Sequence, residues 1–125
     1  DGPVSSADVV PTLLSLCGAP IPAGVQGMDL TGLISGSGGG HPQNSIYMEG
    51  RMNNATNSWR AVRKDNYMYS VNANPGNTSQ YYLFDMNEGQ DPYQMSNLAG
   101  QGRPLEEEMR NILYWWKAEL GDDTW

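Results

Sequence analysis

The feature that most constrains the fold is an apolar stripe toward the C-terminal end. Leu105, Met109, Ile112, Leu113, Trp116 and Leu120 recur at spacings of three and four, the period of one helix face. Pro104 suits a first helical position, where a missing N–H leaves no bond unmade. Glu106, Glu107 and Glu108 complement the positive end of the helix dipole, and Gly121 can adopt the left-handed conformation that terminates a helix. A helix so marked needs a flat apolar surface to cover.

Four short segments supply that surface: Ser45–Glu49, Trp59–Arg63, Tyr67–Val71 and Tyr81–Asp85, all rich in aromatic and β-branched residues. The Lys64-Asp65-Asn66 link is short enough for a hairpin. Short links favour antiparallel pairing, because parallel strands need a long crossover. The predicted class is α+β: a small four-stranded antiparallel sheet packed by the C-terminal helix. Each fully buried large side chain of the stripe contributes about 1.5–3 kcal/mol, making it the main tie between helix and sheet.

Ahead of the sheet, residues 5–18 predict one helix, with Asp8 as N-cap and Pro11 in the third helical position. Gly18 ends it. Val9, Leu13 and Leu16 share one face, with Val10, Leu14 and Cys17 beside them, so the helix is apolar over a wide arc and needs a partner surface. Cys17 reads as a buried structural thiol. Residues 19–44 show no comparable periodicity; Gly36–Gly40 is a flexible loop that lacks the Gly-Lys-Ser/Thr of a phosphate loop. The expected division is residues 1–44 as helix and connector, then residues 45–125 as the sheet-and-helix unit. The first residue is Asp1 and not Met, which suggests a chain processed or cut from something longer.

Composition removes several partners. The 125 residues carry a formal charge of −7, and the basic side chains Arg51, Arg60, Arg63, Lys64, Arg103, Arg110 and Lys117 are scattered. Nucleic-acid binding needs clustered cations, and docking on an anionic membrane needs the same. No apolar run reaches the ~20 residues of a membrane-spanning helix. Cys17 is the single cysteine, so no internal disulfide forms. The Tyr-rich, Lys-poor profile fits exported bacterial proteins.

Chemistry-bearing residues are few. Asp122-Asp123 offers two carboxylates but reads as a solvated tail. Asp85, Asp91 and Asn97 sit where turns and caps are expected. His41, the sole histidine, is either an exposed loop residue or a side chain projecting toward a substrate. No second His or Cys nearby supports zinc or a Ser-His-Asp triad. In Glu49-Gly50-Arg51, Gly allows a sharp turn at a strand end and Arg can grip a sulfate or carboxylate with two N–H groups; the alternative is a surface ion pair between Glu49 and Arg51. Arg60 and Arg63 read as decorating the sheet. Asn54-Ala55-Thr56 and Asn77-Thr78-Ser79 match glycosylation acceptors. A stand-alone carbohydrate-binding module would use Trp115, Trp125, Tyr47 and Tyr93 as platforms.

A resemblance runs along nearly the whole chain. Val4-Ser5-Ser6-Ala7-Asp8-Val9-Val10-Pro11-Thr12-Leu13-Leu14 resembles the sulfatase segment that enters an Asp-x-x-Pro-Thr-Leu-Leu helix. Gly18-Ala19-Pro20-Ile21-Pro22 and Gln26-Gly27-Met28-Asp29-Leu30 are similar to its continuation. Trp59-Arg60-Ala61-Val62-Arg63 with Tyr67-Met68-Tyr69 resembles its hairpin, though Lys is usual where Met68 stands. Leu83-Phe84-Asp85-Met86, Asp91-Pro92-Tyr93-Gln94 and Asn97-Leu98-Ala99 resemble the segment before its last helix. Each motif is weakly specific; together, and in order, they are fairly strong.

The resemblance implies the C-terminal region of a formylglycine-dependent arylsulfatase of the alkaline-phosphatase-like superfamily. It implies that residues 1–44 end the large α/β catalytic domain, and that calcium and formylglycine belong to the full-length protein. The implied partners are that N-terminal catalytic domain and a sulfated carbohydrate or aryl sulfate. Glu49, Arg51 and His41 fall where the family places residues at the rim of the substrate pocket. The Cys/Ser-x-Pro/Ala-Ser-Arg nucleophile motif is absent, and Cys17-Gly18-Ala19-Pro20-Ile21 does not match it. The family's acidic metal pairs are absent as well, so the chain alone is expected to be inactive. A related phosphate or phosphonate ester hydrolase is the neighbouring alternative. Self-association through Val9, Leu13 and Leu16 is expected when the partner domain is missing, and a periplasmic or secreted location is expected for the full-length protein.

Overall fold

The computed structural model describes residues 2–50, 58–73, 80–87 and 89–123. The chain divides into two compact units, Asp1–Ile46 and Tyr47–Trp125.

In the first unit, a 3₁₀ turn at Ser6–Asp8 precedes helix α1, Val9–Leu16, and a short helix α2 spans Thr31–Ser35. The single helix predicted over 5–18 is therefore shorter. Asp8 stands at the N-cap but makes no side-chain cap bond there, because its carboxylate is turned inward. Pro11 is the third residue of α1 and is buried. Gly18 adopts φ 68, donating its N–H to Ser15 O (3.0 Å) while Ala19 donates to Leu14 O (2.9 Å). Those two bonds define a Schellman end. Cys17 lies exposed at the C-cap, correcting the expectation of a buried thiol: the termination turn carries it away from packing. Thr12 ties α1 to the connector, accepting from Leu30 N at 3.0 Å and donating to Met28 O at 3.4 Å. Gly27 packs so closely on the Ala7 backbone that a Cβ would lie 2.0 Å from Ala7 O.

Val9, Val10, Leu13, Leu16 and Ile34 are all exposed. Val9, Leu13, Leu16 and Ile34, with Leu30 and Leu33, line an almost wholly apolar cleft of about 300 Å³ beside α1 and α2. The wide apolar arc read from the sequence is present and open.

The sheet holds β1 (Ser45–Gly50), β2 (Ser58–Lys64), β3 (Tyr67–Ala73) and β4 (Gln80–Asp85) in the order β1-β2-β3-β4. Antiparallel register sets Val62 opposite Tyr69 and Tyr69 opposite Leu83. Two residues, Asp65 and Asn66, link the paired Lys64 and Tyr67, with Asp65 left-handed at φ 51, a conformation its short polar side chain tolerates.

Helix α3, Pro104–Glu119, covers one face of this sheet. Its Met109, Ile112 and Leu113 join Val62, Tyr69, Val71 and Leu83 in one buried cluster, with Tyr47, Leu105 and Trp116 packed against it. Leu120 departs from the predicted stripe: as the C-cap residue it is about half exposed. Glu106 departs too. It is buried, accepting from Gly100 N (2.8 Å) and Arg110 Nη2 (3.2 Å), and so does more than complement the dipole.

The outer edge of β4 is closed by the segment after it. Asn97 accepts from Leu83 N and donates to Tyr81 O, each at 3.0 Å, and Leu98 N donates to Leu83 O at 2.8 Å. Asp91 accepts from Met95 N and Ser96 N, while Asp85 caps Asn87. Asp85, Asp91 and Asn97 thus act as the turn and cap residues their spacing predicts.

Candidate functional site

Within the second unit the chemistry-bearing residues converge at one end of β1 and β2. Alternation on β2 puts Arg60 on the α3 side with Val62, and its side chain has no exposure to solvent. An isolated buried guanidinium would be costly. Here it meets Asp122, delivered by the end of α3. Gly121, at φ 63, donates to Ala118 O (3.2 Å), and Asp122 donates its backbone N–H to Lys117 O (2.9 Å). This is a second Schellman end, and it folds the chain back on the helix. The Asp122 carboxylate, 6 % exposed, accepts from Arg60 Nε and, at 3.1 Å, from Arg60 Nη2, the two-pronged geometry that makes such pairs strong. Arg60 Nη1 donates to Trp59 O at 3.0 Å. Two expectations are corrected. Arg60 does not decorate the sheet, and Asp122 is no solvated tail.

Two further groups from β1 face the same pair. Tyr47 donates its hydroxyl to Asp122 Oδ2 at 2.5 Å. Glu49 Oε2 lies 3.6 Å from Arg60 Nε, with 43 % of its side chain exposed. Burial raises the Tyr47 phenol well above its ordinary value, and the Asp122 carboxylate raises it further. Arg60 is held protonated chiefly by its bond to Asp122, against the effect of burial. Lys117, buried on α3, is lowered by desolvation, with Asp122 opposing. Arg51 lies outside the described residues, as do Asn54–Thr56, Asn77–Ser79 and Trp125.

In the first unit, Asp8 is the hub. Its carboxylate accepts from Ser5 N (2.6 Å) and Met28 N (2.9 Å), and its Oδ2 meets His41 Nε2 at 2.6 Å. Burial pushes the Asp8 carboxyl up, but the His41 bond and the Met28 and Ser5 amides outweigh it, leaving the net value lowered. For His41 the sequence allows an exposed loop residue or a side chain projecting toward a substrate; the side chain is 7 % exposed, and the loop before it is glycine-rich. In that loop Gly38, Gly39 and Gly40 take φ of 105, 101 and 133, which side-chain-bearing residues rarely adopt.

The sequence signals for these pairs were faint. Asp122 directly follows a helix-ending glycine, which predicts a fixed backbone there, yet nothing local names Arg60 as its partner. Asp8 resembles an N-cap so closely that its contact with His41 is masked.

Among the described residues there is no group of three or more His, Cys, Asp or Glu able to hold a metal ion, and no helix is long and apolar enough to cross a membrane. Of the aromatic platforms, Tyr47 is engaged with Asp122 and the half-buried Trp115 makes an edge contact with Trp116, ring centroids 5.1 Å apart; Tyr93 is exposed.

No family model matches the chain. An ulvan-active sulfatase of Formosa agariphila is 29 % identical over 130 aligned residues, covering 98 % of this chain and 24 % of that protein. Among solved structures, a candidate sulfatase of Bacteroides fragilis, yidJ, matches with a TM-score of 0.73 and 29 % identity, covering 94 % of this chain and 25 % of the other. A 2-O glycosaminoglycan sulfatase matches with a TM-score of 0.73 and 28 % identity, covering 93 % of this chain and 25 % of its own. The chain thus spans about a quarter of the length of the relatives it matches. A stand-alone carbohydrate module and a phosphate or phosphonate ester hydrolase are not favoured by these likenesses.

Proposed function

We propose, from the premise that this chain is the C-terminal region of a sulfatase, that it supports a preceding catalytic domain and forms one wall of its substrate pocket. The full-length protein then hydrolyses a sulfuric ester on a sulfated carbohydrate or an aryl sulfate. The observation that carries this is the likeness in sequence and fold, along nearly all of this chain, to about a quarter of the length of each sulfatase it matches. Formylglycine and calcium would be held by the remaining part of the polypeptide, since the nucleophile motif and the acidic metal pairs are missing from these residues.

In this reading residues 1–44 complete the catalytic domain, and the open apolar side of α1 meets it. Val9, Leu13 and Leu16, all exposed here, would lose their water there, a favourable change of roughly 25 cal/mol per Å² of apolar surface. Without that partner the same side chains would drive self-association. Glu49 and Arg51 would stand at the pocket rim, and His41 would contribute by anchoring the Gly36–Gly40 loop through Asp8. The test is a pair of preparations, this chain alone and the polypeptide extended upstream. Aryl sulfate turnover by the extended form only is the expected result. Turnover by the chain alone, with calcium supplied, would refute the division of labour.

A further inference from the structure

We infer that Glu49 is the substrate-reading group of a subsite for uncharged sugar hydroxyls, and that Arg60 and Asp122 are the positioning residues that aim it. This rests on the reading of the chain as a pocket wall. Three distances carry it. The Glu49 carboxylate stands 3.6 Å from Arg60 Nε. Arg60, with no exposure of its own, is gripped at Nε and, at 3.1 Å, at Nη2 by Asp122. Asp122 is in turn held by the 2.5 Å bond from Tyr47, two residues before Glu49 on the same strand and the same face.

The arrangement is graded from inside to outside. Asp122 is almost wholly buried, Arg60 is fully buried, and Glu49 keeps 43 % of its side chain open to water. A surface glutamate on its own samples many rotamers, and ordering it on binding opposes affinity. Attraction to a guanidinium that cannot itself move reduces that freedom before any ligand arrives. The chemistry then selects the ligand. A carboxylate accepts hydrogen bonds from hydroxyls and repels a sulfate, so this subsite reads an unsulfated position of the sugar and not the ester to be cleaved.

The experiment uses the full-length polypeptide carrying this region, with a sulfated oligosaccharide of ulvan or glycosaminoglycan type on which it is active, and a small aryl sulfate that carries no sugar. The readout is the ratio of KM for the oligosaccharide to KM for the aryl sulfate. Losing a charge-assisted hydrogen bond corresponds to about a tenfold change, so Glu49→Ala is expected to raise the ratio about tenfold with kcat on the oligosaccharide little altered. Asp122→Asn is expected to raise it in the same direction. If Asp122→Asn fails to fold, Glu49→Ala still decides, because that side chain is not part of the packed core. An unmoved ratio in Glu49→Ala overturns the inference while leaving the sulfatase reading intact. No turnover of any sulfate ester by the unmutated polypeptide overturns the sulfatase reading itself.

Discussion

Asp122 and Arg60 stand 62 positions apart in the chain and meet through two N–H···O contacts inside the second unit. The pair fastens the end of α3 to the strand it packs on. The helix is therefore held at its tail by charge as well as along its length by Met109, Ile112 and Leu113.

Breaking one half of this pair should be severe. Asp122→Ala leaves a buried guanidinium without its main carboxylate, a class of change that costs about 3–5 kcal/mol. Urea unfolding should show the lower midpoint. The double variant Arg60→Met with Asp122→Leu should cost less than Asp122→Ala alone, because the buried guanidinium is then not left without its carboxylate. Additive losses in the double-mutant cycle would contradict this account.

The first unit should have an acid limb of its own. The folded Asp8 carboxyl lies below its ordinary 3.8, so its bonds to His41, Met28 N and Ser5 N add stability above that pH. That contribution is lost as pH falls through the lowered value. Helical signal followed by circular dichroism below pH 3.8 should decay in the native chain. Asp8→Asn should be less stable at neutral pH and should lack that limb. An unchanged acid profile in Asp8→Asn would count against Asp8 as the hub.

Cys17 should behave as an open thiol. It is exposed at the end of α1, so a water-soluble disulfide reagent should modify one equivalent without denaturant. Cys17→Ser should alter stability by less than about 0.5 kcal/mol, as is usual for exposed sites. A thiol that reacts only after unfolding would contradict the structure.

The apolar side of α1 should make the isolated chain associate. Leu13→Ser and Leu16→Ser replace exposed leucines, so they should shift sedimentation toward monomer with little loss of fold. Concentration-independent monomer in the unmutated chain would remove the expectation.

The parts legible in the sequence are those set by local rules. The period of Leu105 to Trp116, the glycines at 18 and 121, and the short Lys64-Asp65-Asn66 link, two residues in the fold, each reflect short-range sterics or side-chain periodicity. The strand segments could be read from composition for the same reason. Cys17 reads as buried from its apolar neighbours and is exposed, because such neighbours imply burial only when something covers them, and the helix ends just there. The desolvated partners of Asp122, Arg60 and Asp8 are not legible in the sequence. Charged residues are usually solvated, and only the assembled fold brings two opposite charges from distant segments into one desolvated place. Glu49 was picked out for its position at a strand end, while its neighbour Arg60 became visible only through strand pairing.

The closed border of β4 has a consequence for how this protein behaves in crowded solution. Open strand borders invite other chains to pair with them, yet here Leu83 N, Leu83 O and Tyr81 O are already taken by Asn97 and Leu98. A foreign peptide would have to evict an asparagine that satisfies two backbone groups at once. Growth of ordered aggregates from this side is thereby discouraged by the same residues that shape the turn.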